Sequence, residues 1–86
     1  MKPFQFLIDE NKYNEIKEYV NKILTDAGKT DIVVRRIREL DENEYIGDVT
    51  YRWITNGYVN EITQKDVLFL FKNGEIISSL GIIKTD

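Results

Sequence analysis

EYIGDVTYRWITNGYVNEITQKDVLFLFKNGEIISSLGII, residues 44–83, is the stretch that decides the fold. It carries two Asn-Gly dipeptides, Asn56-Gly57 and Asn73-Gly74, each between runs of apolar and β-branched residues. A two-residue type I′ turn needs positive φ at both central positions, and Asn followed by Gly tolerates that best. Two such turns predict a three-strand antiparallel meander.

The first turn fixes a register. Thr55 faces Tyr58, Ile54 faces Val59, Trp53 faces Asn60, Arg52 faces Glu61, Tyr51 faces Ile62, Thr50 faces Thr63 and Asp48 faces Lys65. One face then holds Arg52–Glu61, Thr50–Thr63 and Asp48–Lys65, which are favourable cross-strand pairs for a solvated surface. The other holds Val49, Tyr51, Trp53 and Ile62, the set expected to meet a helix. Carried on without a slip, this register sends Val67, Phe69 and Phe71 outward and Leu68 and Leu70 inward. A one-residue bulge near Gln64-Lys65-Asp66 reverses both assignments. In either case strand 67–71 is apolar on both sides. Its hairpin partner repeats this, with Ile76, Leu80 and Ile82 on one face and Ile77 and Ile83 on the other.

Upstream, Asp9 is a good helix N-cap, with Glu10 in the first turn and Ile8 and Tyr13 placed to staple it. Tyr13, Ile16, Val20, Ile23, Leu24 and Ala27 recur at three- and four-residue spacing, one apolar stripe of an amphipathic helix. Glu18–Lys22 is an i,i+4 pair on the opposite face, and Gly28 is the expected left-handed stop. Residues 31–40, rich in Ile, Val and Arg, read as a strand, and Asp41-Glu42-Asn43 as a turn. A three-residue loop there sets Arg36 opposite Asp48 and Val33 opposite Tyr51. Met1 to Ile8 reads either as a short edge strand opened by Pro3 or as an arm over the core.

The expected architecture is a single α+β domain over residues 1–86. Its N-terminal helix packs across a curved antiparallel sheet of four or five strands, in the order β-α-β-β-β-β. This two-layer order is similar to the cystatin-like and NTF2-like topologies, although the cystatin Gln-x-Val-x-Gly loop is absent. FLFKNGEII, residues 69–77, resembles the terminal hairpin of thioredoxins; without Cys-x-x-Cys or a preceding proline, the resemblance implies hairpin geometry and no redox chemistry.

Composition narrows the chemistry. The chain has no cysteine, so disulfides, thiol catalysis and thiolate metal sites are excluded. It has no histidine, which removes the commonest general base and the usual zinc ligand. No cofactor or metal site is expected, nor an enzyme. A net charge of −3 argues against general nucleic-acid binding, which draws its affinity from phosphate contacts. Alternation divides the arginines, Arg36 and Arg38 on one face and Arg35 on the other. No stretch is long and apolar enough to span a membrane, and the expected location is the cytoplasm. The richness in Asn, Lys and Ile points to an AT-rich bacterial, phage or mobile-element source.

One helix cannot cover both faces of strands apolar on both sides. The sequence therefore predicts a homodimer, or else docking on another protein, and an interaction module such as an inhibitor or regulator. The interface expected from the apolar hairpin is Val67, Phe69, Phe71, Ile76, Leu80 and Ile82. Asp41, Glu42, Glu44 and Asp48 form an acidic cluster suited to a basic partner. The alternative is a small-molecule cone between helix and sheet, lined by Tyr51, Trp53, Asn60 and Asp66.

Overall fold

The computed structural model describes residues 9–82, with side chains as far as Leu80. The strand or arm expected over Met1 to Ile8, the Ile8 staple and Ile83 lie outside the described residues, as does the side chain of Ile82. Helix α1 spans Glu10–Asp26 and is followed by strands β1 Thr30–Asp41, β2 Glu44–Thr55, β3 Tyr58–Lys72 and β4 Glu75–Ser78. The strands form one antiparallel sheet in sequential order, and a 3-10 turn, Ser79–Ile82, closes the described chain. This is the expected α+β arrangement of one helix on a meander.

Helix α1 begins and ends where the sequence predicts. The Asp9 carboxylate accepts the N–H of Asn11 at 2.8 Å, capping a donor the helix cannot satisfy. At the other end Gly28 takes φ +83°, and the N–H of Lys29 donates to Leu24 O at 2.8 Å. That Schellman-type closure turns the chain sharply into β1. Ile16, Val20 and Leu24 are fully buried. Lys22 pairs with Asp26 at 3.7 Å rather than with Glu18. Tyr19, which the stripe omits, meets the ring of Phe69 edge-on at 6.4 Å.

Both Asn-Gly turns form, with all four residues at positive φ. The register from Thr55↔Tyr58 to Thr50↔Thr63 is the one read from the sequence. It breaks between Val49↔Gln64 and Gly47↔Val67, where β3 bulges at Asp66, φ +56°. The bulge inverts the parity beyond it, so Val67 and Phe69 turn beneath the helix and Phe71 packs against the same core. Asp48 therefore faces no Lys65 rung.

Strand β1 departs more from the expected register. The turn to β2 has two central residues, Glu42 and Asn43, and the register with β2 shifts at three places. Arg35 rather than Arg36 stands opposite Asp48, and Thr50 rather than Tyr51 opposite Val33. One shift lies at Arg36, whose φ is +56°. Gly47 sits against this bulge. A Cβ there would come 3.1 Å from Ile37 Cγ1 and 3.3 Å from Arg35 O, so the approach of β1 to β2 favours glycine.

The core is Ile16, Val20 and Leu24 of the helix with Tyr45, Val49, Tyr51, Val67, Phe69 and Leu80. A 17-residue helix is about 25 Å long, whereas the 15 residues of β3 extend about 50 Å. The helix thus covers about half of the long β2–β3 hairpin. Lys12 over the ring of Phe71 and Lys29 over that of Trp53 mark its two ends. Beyond Trp53 the hairpin projects, leaving Ile54, Tyr58 and Val59 exposed.

Candidate functional site

The parity change sorts the apolar hairpin into two faces. Val67, Phe69 and Leu80 are buried, Phe69 with no exposed surface at all, and Phe71 and Ile76 pack against them. These five belong to the chain's own core, not to a surface offered to another molecule. The bulge at Asp66 turns the odd-numbered residues of 67–71 toward the helix, and so away from the interface expected of them. What the helix leaves uncovered is the complementary set. Ile46 stands opposite Leu68, and Leu70 opposite Ile77, on the outer face of the sheet. Leu68 is 38% exposed and Ile77 51%.

A charged waist borders this patch. Asp48, only 9% exposed, accepts the N–H of Asp66 through Oδ1 at 3.1 Å, and its Oδ2 lies 3.7 Å from Arg36 Nη1. Arg38 donates to Asp66 Oδ1 at 2.9 Å and to Arg36 O at 2.7 Å. Two bulges on neighbouring strands are thereby tied to one carboxylate on the strand between them. The bulge at Arg36 also corrects the division of the arginines, because Arg35, Arg36 and Arg38 all lie on the outer face. Arg36 and Arg38 are held in ion pairs. The acidic cluster divides as well. Asp41, Glu42 and Glu44 remain at the β1–β2 turn, where Asp41 Oδ1 accepts the Glu42 N–H at 2.7 Å, while Asp48 is committed to the bulges.

Three of the four residues expected to line a cone between helix and sheet come together. Tyr51 and Trp53 do meet, with ring centroids 5.9 Å apart, and Asn60 Nδ2 donates to Trp53 O at 3.3 Å. Lys29, the residue after the helix stop, folds over them with its ammonium 4.3 Å from the Trp53 ring centroid. It is only 7% exposed, and a cation against aromatic faces is a favourable way to seat it there. Asp66 is on the opposite face, paired with Arg38. One open cleft runs between α1 and β1 along Asn14, Lys17, Ile32 and Val34 and another lies over Val33, Arg35, Arg52 and Glu61, and none of the four expected cone residues lines either. Burial holds the phenol of Tyr51 above the usual tyrosine range, as it does that of Tyr19. At Tyr45 the charges of Glu39 and Asp9 add to the same effect of burial.

Among the described residues no group of three His, Cys, Asp or Glu side chains could hold a metal ion. No helix among them is long and apolar enough to cross a membrane. No protein-family profile, characterised protein or solved structure matches the chain.

Proposed function

We propose that the chain is a non-enzymatic protein-interaction module, a regulator or inhibitor that docks on a partner protein through the outer face of its sheet. The observation that supports this reading is the pair of apolar rungs Ile46–Leu68 and Leu70–Ile77, with Leu68 and Ile77 exposed and Ile46 and Leu70 half-buried, on the face that no helix covers among the described residues. Exposed aliphatic side chains in register on neighbouring strands make a flat, rigid surface, which loses little conformational freedom when covered. The ion pairs Arg36–Asp48 and Arg38–Asp66 border it, as a polar rim borders the dry centre of an interface. The partner surface that fits is flat and apolar at its centre.

Site-specific photo-crosslinking tests this in the cells that express the gene. A photoreactive residue in place of Ile77 should give a discrete protein adduct, and one in place of Asn21 on the solvent side of α1 should not. Adding Leu68→Asp should abolish the adduct. Equal labelling from the two positions, or no adduct from position 77, would overturn the proposal.

A further inference from the structure

Among the described residues the sheet leaves open β1 along one side and, along the other, the short β4 and the stretch of β3 that β4 does not reach. Among the described residues strand β1 is an edge along its whole length, and it is defended: its register with β2 shifts three times, and Asp31 and Arg36 take positive φ. Such irregularities keep an edge from templating another strand. Strand β3 is different. Its pairing with β4 involves only Phe69 to Lys72, and Leu68 N–H finds the Ser79 hydroxyl at 3.3 Å. Among the described residues nothing pairs with the same side of β3 from Tyr58 to Val67.

That open stretch is regular. Register with β2 runs unbroken from Tyr58 to Gln64, and no residue from 58 to 65 is proline or has positive φ. A two-residue turn makes Thr55 and Tyr58 a hydrogen-bonded pair, so alternate residues behind it, Val59, Glu61, Thr63 and Lys65, aim their N–H and C=O groups away from β2. The turn bounds this segment at one end and the Asp66 bulge at the other. Its midpoint is Ile62, 41% exposed.

We infer that two copies of the chain pair along this edge, antiparallel about a two-fold axis through Ile62. In that register Ile62 meets Ile62, Asn60 meets Gln64, Glu61 meets Thr63 and Val59 meets Lys65. The outward backbone groups of all four residues find partners, and Glu61 of one copy lies diagonal to Lys65 of the other. Centring the axis on Glu61 instead would set like charges face to face, and centring it on Thr63 would run the pairing into the Asp66 bulge. An axis perpendicular to the sheet keeps both outer faces on one side of a continuous sheet of twice four strands. The dimer would therefore present two Ile77 patches to a bivalent target. The edge and the outer face are separate surfaces, so this pairing holds or fails independently of docking at Ile77.

Because the chain has no cysteine, single-cysteine crosslinking reads the register cleanly. A non-hydrogen-bonded antiparallel pair holds its Cα atoms about 4.5 Å apart, within disulfide span, so Ile62→Cys should oxidise to a covalent dimer. Thr63→Cys, about 8 Å from its twin, should yield at least tenfold less. Sedimentation at 100 μM should give twice the 10.1 kDa chain mass. Thr63→Pro, which removes an outward donor and the side-chain bond to Thr50 but no backbone bond to β2, should sediment as a folded monomer with an unchanged far-UV spectrum. A monomeric wild-type chain at that concentration, a crosslinking maximum away from position 62, or a folded Thr63→Pro dimer would each overturn the inference.

Discussion

Asp48 Oδ1 accepts the backbone N–H of Asp66 at 3.1 Å, so a side chain on the central strand holds open the bulge of its neighbour. Everything downstream on β3 takes its facing from that bulge. Asp48→Ala leaves the Asp66 donor and the Arg36 guanidinium without their acceptor. The expected loss is about 1–3 kcal/mol, the usual cost of leaving a partly buried polar group unpaired. Asp48→Asn keeps an acceptor oxygen and should lose less. Urea unfolding midpoints of the two variants check the order.

The facing itself can be tested by truncation on either side of one strand. Phe69→Ala empties the centre of the core and should cost about 3–5 kcal/mol, a large part of what a domain of this size has. Leu68→Ala, one residue away on the outer face, should cost less than about 1 kcal/mol. Phe69→Asp should unfold the chain rather than merely dissociate an assembly. Calorimetry or urea titration of the pair decides it, and similar losses at 68 and 69 would place the bulge wrongly.

Much of this was legible in the sequence, and the limits have physical causes. Asn56-Gly57 specifies its own turn geometry, so the rungs from Thr55↔Tyr58 to Thr50↔Thr63 follow from two residues. Asp9 and Gly28 mark the helix ends by equally local chemistry. The bulge is another matter. Gln64-Lys65-Asp66 contains no glycine, and alternation allows either parity until a helix is laid on one face. The apolar hairpin was therefore recognisable as two-sided, while the half belonging to the core was not. Strand β1 was harder still, because Arg36 adopts positive φ without being a residue type that announces it. Lys29 gave no warning either. A lysine after a helix stop looks like a solvated charge, and only the turn at Gly28 brings it over Trp53.

Gly47 lies against the β1 bulge, with Ile37 and the Arg35 carbonyl beside it. Gly47→Ala should cost about 1–3 kcal/mol, as overpacking does, because the new methyl meets both a side chain and a carbonyl. In an Ile37→Ala background that cost should fall, since the contact at 3.1 Å is with Ile37 Cγ1. A double-mutant cycle measures the coupling; strict additivity would show that the two residues do not meet.

Alkaline pH should destabilise the fold through its buried phenols. Burial raises the pKa of Tyr19, Tyr45 and Tyr51 from the ordinary value of 10.0, so in each case the unfolded chain loses its proton first. The contribution of these phenols to stability is then complete below about pH 10 and is lost as pH rises through the folded-state values. Glu39 and Asp9 act in the same direction on Tyr45. Tyr45→Phe/Tyr51→Phe should show a smaller fall in unfolding midpoint between pH 8 and pH 11 than the parent chain. Equal falls would remove the phenols from the account.

The central claim is that the Asp66 bulge gives one half of the 67–77 hairpin to the core and leaves the other half on the outer face of the sheet. Thiol labelling of Val67→Cys and Leu68→Cys, in a chain with no other thiol, measures this directly. In the native protein Cys at 68 should react at a rate within about tenfold of a free thiol, and Cys at 67 only through opening of the fold, at least a hundredfold more slowly. Fast labelling at 67 with protection at 68 would contradict the claim, because it would put the bulge-free parity in place and Phe69 on the outside.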